Sequence, residues 1–388
     1  MGSWRDCSLG DVLTLQRGFD LPIQERTGGT VPVIASTGPV GWHNKAQVAG
    51  PGVVIGRSGS IGGGQFIRDD FWPLNTTLWV SDFKGNDRRF CYFLLRSIDF
   101  SQFNVGSGVP TLNRNHVHPL DVRVPDKAQQ ERIGELLGSL DDKIQLNRQM
   151  NETLEAMAQA IFRDWFVYFS PVRRKMEGET DPVAIMGGLT PNPGRAAELA
   201  ALFPTKLGGD GRPDGWAMCR MDELLELVYG KALPKQSRRH GTVPVYGSGG
   251  VGGWHDTPLE KGPSIIVGRK GTVGSLFWEP GPFFAIDTAF YVRPRRRTPL
   301  TYLWPLLQSL GLEGMNTDAA VPGLNRANVY RLEVPAPPKL LVNAFDGVAG
   351  PLYRMLQHND AESSALSETR DYLLPRLISG AVRIEGRE

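Results

Sequence analysis

Cysteine is scarce in this chain: Cys7, Cys91 and Cys219 are the only three in 388 residues, an odd number with no close pair. That excludes a disulfide framework and a cysteine-based zinc site, and it fits a reducing compartment. Long apolar runs are missing as well. Nothing approaches the roughly eighteen consecutive apolar residues of a membrane span. The opening "MGSWRDCSLGD" holds no apolar export segment, so a cytoplasmic protein without a membrane is expected. An excess of one charge is also lacking, with 43 Lys and Arg against 41 Asp and Glu. The near-neutral total hides a pattern. Residues 1–125 carry 12 basic against 10 acidic side chains, residues 214–338 carry 14 against 11, and residues 126–165 carry 5 against 8. Two mildly basic blocks flank an acidic stretch, a distribution that ordinary solvated surface also produces.

Catalytic constellations are missing too. No G-x-x-x-x-G-K-[ST] phosphate loop, no G-x-S-x-G and no nuclease-like carboxylate cluster occurs. The Asn-Pro-Pro-aromatic loop of an adenine methyltransferase is absent. "GSGGVG" (247–252) satisfies G-x-G-x-x-G, but Trp254, His255 and Pro258 follow it instead of a helical pattern. A dinucleotide site is therefore not expected. His116 and His118 would share one strand face without an acidic or Cys partner at metal spacing, so no metal is expected.

What the sequence does hold is a repeat. "GTVPVIASTGPVGWH" at 29–43 returns as "GTVPVYGSGGVGGWH" at 241–255. Trp4 and Trp216, Cys7 and Cys219, Arg57 and Arg269, Gly62 and Gly274 all stand 212 positions apart. Leu112-Asn113-Arg114 and Leu324-Asn325-Arg326 keep the same offset. A period this long means two whole domains, each with its own core. Within each copy β-branched runs broken by glycine read as strands and turns, at 51–63 and 262–275, with further strands at 75–80 and 287–292. Short helices are predicted at 89–98 and 300–310, the latter kinked by Pro305 or started by it. Returning strands at 120–125 and 332–337 complete two compact α+β domains, 1–125 and 214–338.

After each domain the period changes. Ile133, Leu137, Leu140, Ile144, Asn147, Asn151, Leu154, Ala158, Ile161 and Trp165 step by four and three, which is a heptad seam. The offset carries it to Phe345, Ala349, Leu352, Leu356, Asn359, Ser363, Leu366, Arg370, Leu373 and Leu377. The segments 126–169 and 339–388 therefore read as two long helices, paired antiparallel so that the halves are related by a pseudo-twofold axis. In the alternative each helix packs on its own neighbouring domain and leaves its Asn residues exposed. Between the halves, residues 170–213 read as a linker rich in Pro and Gly with one short helix at 196–203.

The remaining polar motifs suit recognition. "GRSGS" and "GRKGT" place Arg57 with Ser58, and Arg269 with Lys270, between glycines that allow close approach to a phosphate or a guanine edge. "TLNRN" presents Thr111, Asn113 and Arg114, and "GLNRA" presents Asn325 and Arg326. Asn and Arg match adenine and guanine edges, while turn chemistry also favours Asn. Asn75 of "NTTLWV" and Asp287 and Thr288 of "DTAFYV" join the candidate DNA contacts. Trp42-His43 and Trp254-His255 read as core or loop anchors rather than base readers, and "RPRRRTP" (293–299) as a basic loop that touches phosphate or a solvated turn.

In these motifs, their order and their architecture the chain resembles the specificity subunit of Type I restriction–modification enzymes. The carrying features are "IGRSGSIG" and "VGRKGTVG", "NTTLWV" and "DTAFYV", "VPTLNRN" and "VPGLNRA", the helix ending "AQAIFRDWFVYFSPVRRKMEG", and the close "DYLLPRLISG". The resemblance implies two target-recognition domains, each reading one half of a split double-stranded DNA sequence, with the two helices as spacer. It implies a chain without catalysis of its own, docking two modification subunits that carry S-adenosylmethionine, and ATP-driven restriction subunits for cleavage. The copies differ at Arg17 and Tyr229, Ser58 and Lys270, Asn75 and Asp287, and throughout 99–109 and 311–321, so an asymmetric target is expected. A stand-alone bipartite DNA-binding regulator, or an enzyme acting alone, are the rival readings.

Overall fold

The structure is a computed structural model that describes residues 4–104, 108–316 and 323–384. It divides into two compact units, Met1–Arg148 with Ala361–Glu388, and Gln149–Asp360. In the first unit a four-stranded antiparallel sheet runs in the order Thr14–Arg17, Thr77–Asp82, Gly52–Gly56, Gly62–Ile67. Gly52–Gly56 is buried along its whole length, which is why it reads as a continuous β-branched run. A three-stranded sheet orders Gly38–His43, Val31–Ala35 and Trp72–Pro73, and Arg5–Ser8 pairs with Asp121–Val124. The helix Arg88–Ser97 begins at Asp87, whose carboxylate accepts from the Phe90 N–H at 2.8 Å. Its Phe90, Phe93 and Leu94 share a core with Leu15, Val53 and Leu78.

The second unit repeats this plan. Its four-stranded sheet runs Leu225–Tyr229, Ala289–Pro294, Ser264–Gly268, Leu276–Glu279. Gly250–His255, Val243–Gly247 and Phe284–Ala285 form the smaller sheet, and Ala217–Arg220 pairs with Glu333–Ala336. "GSGGVG" is therefore a hairpin between two strands, without the strand-turn-helix a dinucleotide needs. The helix Leu300–Ser309 carries Pro305 in its interior, past the first turn. His116 lies within the short helix Arg114–Val117 and His118 caps it, so the expected strand face for this pair is replaced by a helical turn. The cause is Asn113, whose side chain accepts from the Asn115 N–H at 3.0 Å and starts the helix.

Residues 170–213 are more than a tether. They hold three helices, Ser170–Met176, Pro182–Ile185 and Pro193–Ala201, where one was expected. Pro171, Pro182 and Pro193 sit at the first helical turns, where proline is tolerated, so the composition that reads as a breaker also starts helices. Val172, Ile185, Leu199 and Phe203 pack into the second unit's core beside Trp165, Phe166 and Trp216. Lys175 Nζ donates to the carbonyls of Ala200 and Phe203 at 2.7 and 2.6 Å, closing the end of the third helix.

The two long helices are Lys127–Phe166 and Lys339–Ile378, 40 residues each, or about 60 Å. Both contribute to both units. In the first unit Ile133 and Leu137 share the core with Leu374, Leu377 and Ile378. Farther along, Arg370 Nη1 meets Asp141 at 2.6 Å, and Asn147 Nδ2 donates to Glu362 at 2.8 Å. In the second unit Asn359 Nδ2 donates to Asn151 Oδ1 at 2.9 Å, and Ala158 and Phe162 pack with Phe345 and Ala349. Within each unit rising numbers on one helix meet falling numbers on the other, so the pairing is antiparallel. Along the seam Ile133, Leu137, Ile144, Asn147 and Asn359 are buried. Leu140, Asn151, Leu154, Ile161, Leu352, Leu356, Leu366 and Leu373 are half-buried. The Asn side chains are thus interior and bonded across the pair, which specifies register where apolar contacts alone would let it slip. Arg370, at the offset from Ala158, fits the seam because Asp141 and Asp371 take its guanidinium at 2.6 and 2.8 Å.

Candidate nucleic-acid interface

In the first unit three separate segments converge at one end of the larger sheet. The Arg57 N–H donates to the Thr76 carbonyl at 2.8 Å, and the Arg57 carbonyl accepts from the Leu112 N–H at 2.8 Å. Ser58 bridges to Thr111. Backbone bonding alone therefore ties "GRSGS" to "NTTLWV" and to "TLNRN". Arg57 Nη1 donates to the Asn75 carbonyl at 3.1 Å, while Asn75 Nδ2 donates to the Asp20 carboxylate. Arg114 Nη1 donates to the Leu15 carbonyl at 3.4 Å. The glycine that ends strand Gly52–Gly56 has a plain reason: a Cβ on Gly56 would lie 1.9 Å from the Ser60 carbonyl oxygen.

The second unit builds the same junction with different side chains. The Arg269 N–H donates to the Thr288 carbonyl at 2.9 Å, and its carbonyl accepts from Leu324 at 2.8 Å. Lys270 is exposed and bridges to Gly323. Arg269 Nη1 donates to the Asp287 carbonyl at 2.9 Å. Arg269 and Arg326 both rest on Tyr229, with guanidinium carbons 4.8 and 4.9 Å from its ring centre. At the equivalent place the first unit has Arg17, 3.9 Å from Asp20. Hence one junction is an arginine cluster balanced by Asp20, and the other an aromatic platform carrying two arginines.

Asn113 and Asn325 both cap short helices, accepting from the N–H groups of Asn115 at 3.0 Å and Ala327 at 2.9 Å. Their side-chain oxygens are engaged at home, so a bidentate grip on adenine, which needs oxygen and nitrogen together, would compete with the cap. Thr288 Oγ1 accepts from the Ser248 N–H at 3.3 Å, linking the junction to the smaller sheet. Sequence reasoning overlooked that link, although Ser36 and Ser248 keep the repeat's offset. It also treated Trp and His alike. The structure separates them: His43 and His255 are buried anchors, whereas Trp42 and Trp254 are exposed. The "RPRRRTP" run is largely engaged within its own unit, with Arg293 on Glu260, Arg295 on the Asp222 carbonyl and Arg296 on Glu223. Of the two stretches that differ most between copies, residues 105–107 and 317–321 lie outside the described residues. Among the described residues no group of three or more His, Cys, Asp or Glu could hold a metal, and no helix is long and apolar enough to cross a membrane.

The family model for the Type I restriction modification DNA specificity domain matches twice, over residues 1–156 and 213–340. The chain belongs to this family. It is 26% identical to the specificity subunit of Type I restriction enzyme HindI from Haemophilus influenzae, across 98% of this chain and all of that protein. It is 21% identical to the MjaIX specificity subunit from Methanocaldococcus jannaschii, across 76% of this chain and 69% of that one. Its fold is similar to a Type I restriction–modification S subunit from M. genitalium, with a TM-score of 0.62, 18% identity and coverage of 97% and 96% of the two chains. The chain is a Type I DNA specificity subunit, a non-catalytic recognition component whose two specificity domains are consistent with a bipartite target.

Proposed function

We propose that each unit of this specificity subunit reads one block of a split duplex target through its three-segment junction. The first junction is built on Arg57, Ser58, Asn75, Thr111 and Arg114, the second on Arg269, Lys270, Asp287 and Arg326. The paired 40-residue helices set the number of base pairs between the blocks. Their outer faces dock two modification subunits, which supply S-adenosylmethionine and methyl transfer, and ATP-driven restriction subunits complete the assembly in the cytoplasm. Three free cysteines fit that compartment.

The observation that carries this reading is one backbone junction made twice with different side chains. A shared frame with different polar groups suits two blocks of different sequence. Exposed Leu146, Met150 and Met157 on the first long helix, and Met355 on the second, support protein docking there. The test is methylome sequencing of cells carrying the system with wild-type, Arg57→Ala or Arg269→Ala chains. Each variant is expected to relax or lose one block and keep the other. Loss of both blocks together, or retention of both, contradicts the assignment.

A further inference from the structure

Each unit carries an exposed tryptophan that nothing in its own fold explains. Trp42 is 60% exposed and Trp254 is 56% exposed, and neither ring stacks on another among the described residues. A single exposed aromatic is ordinary. Here the same exposure is built twice by the same backbone device. Trp42 lies on Gly38–His43, the outer strand of the smaller sheet, paired with Pro32; Trp254 lies on Gly250–His255, paired with Pro244. Before each Trp stands a glycine with φ of 144° at Gly41 and 143° at Gly253, a conformation L side chains rarely adopt. Arg26 Nη1 donates to the Val40 carbonyl at 3.0 Å, and Arg238 Nη1 to the Gly252 carbonyl at 2.7 Å. After each Trp the histidine fixes the strand. His43 Nδ1 accepts from the Thr27 N–H, and His255 Nδ1 from the Arg239 N–H, both at 3.1 Å.

Neither Arg26 nor Arg238 has a carboxylate partner among the described residues. Each unit therefore holds a guanidinium without a carboxylate partner among the described residues on the carbonyl two residues before the exposed tryptophan. That pairing suits a nucleic-acid strand, whose phosphates take the cation and whose sugars or bases take the aromatic face. The hairpins also lead to the junctions already described. In the second unit the tip residue Ser248 donates to Thr288, and in the first a Cβ on Gly56 would lie 3.3 Å from Ser36 Cβ. The segment before the second hairpin adds Lys235, while its Arg239 is taken by Asp256 at 2.8 Å.

We infer that Trp42 and Trp254 are DNA contacts that add affinity without reading sequence, one on each hairpin whose tip meets a recognition junction. Their identity in both copies, where the junctions diverge, is what assigns them to the sugar-phosphate chain or to a base step irrespective of base. The inference rests on the reading that each unit binds DNA.

The test uses the full chain and labelled duplexes, one bearing the methylome-defined target and one of random sequence. Trp42→Ala and Trp254→Ala are each expected to weaken binding to both duplexes by about tenfold, the scale of one lost aromatic stack. Trp→Phe at either position is expected to restore most of the loss, and the methylated sequence is expected to stay unchanged. Thermal unfolding of each variant checks that the hairpin still folds, and Trp→Gln supplies a second exposed replacement. Variants that bind both duplexes like wild type overturn the inference, including the case in which they lose affinity for a modification subunit instead. A variant that loses only the target duplex overturns the sequence-independent role. A wild-type chain that never prefers target over random duplex overturns the underlying reading, and the wild-type arm shows that separately.

Discussion

The same buried donor meets different acceptors in the two units. The Leu15 N–H is taken by His118 Nε2 at 3.0 Å, and its counterpart Leu227 N–H by the Tyr330 hydroxyl at 2.9 Å. A second position loses the donor itself. In the first unit Gln130 is buried, accepts from the Asp87 N–H and donates to Asn86 and to the Pro125 carbonyl. At the offset in the second unit Val342, Thr298 and Pro299 leave a cavity of about 200 Å³. Where Pro299 replaces Asp87 there is no N–H left to satisfy. Where the backbone N–H persists, as at Leu15 and Leu227, so does its side-chain acceptor, because an orphaned buried N–H costs about 1–3 kcal/mol. The side chain that meets it is free to change, and its chemistry changes with it.

The largest effect is expected where a charge has entered only one seam. Arg370→Ala leaves Asp141 partly buried without its closest cation, and should lower the stability of the first unit by about 3 kcal/mol. Hydrogen exchange at residues 133–144 is the measurement, and unchanged protection there would mean that Arg96, 3.5 Å from Asp141, suffices alone. The counterpart position holds Ala158, so the second unit's seam makes no such demand.

A smaller effect follows from the His118–Tyr330 difference. Burial, reinforced by Arg114 and Lys84, holds the His118 imidazole below its ordinary pKa. Only the neutral ring can accept from Leu15. The folded state binds the proton less readily than the unfolded chain, so this contribution is complete above the ordinary value near 6.5 and is lost as pH falls from there through the lowered folded value. Hydrogen exchange at Leu15 should therefore accelerate on acidification from pH 7.5 to about 5.5 relative to Leu227. His118→Tyr should make the two amides behave alike, and a persisting difference would locate the titration elsewhere.

The smallest effect is conformational. Arg297 has a φ of 56° at the place where the first unit has Gly85 with a φ of 80°. Arg297→Gly should stabilise the second unit by about 0.5–1 kcal/mol, read as a shift in its thermal midpoint. A loss of stability would show that the Arg297 side chain contributes more than its backbone costs.

Much of this fold was legible because it is written twice. The constant offset located both domains, and the four-three stepping from Ile133 to Trp165 located the first long helix. What escaped was whatever depends on packing. Residues 170–213 read as a linker because Pro and Gly serve helix starts and turns as well as tethers, and only the burial of Phe203 against Trp165 separates the cases. The convergence of Arg57, Thr76 and Leu112 rests on backbone bonds that no side-chain pattern encodes. Trp42 and His43 are adjacent letters, yet strand alternation sends one outward and the other inward.

The most direct test of the account lengthens the spacer. Seven residues inserted at matching seam positions in both long helices preserve the heptad and add about 10 Å. Methylome sequencing of cells carrying this chain should return the two original blocks with a gap longer by up to about three base pairs. Blocks methylated at their original separation would contradict the claim that the paired helices set that distance.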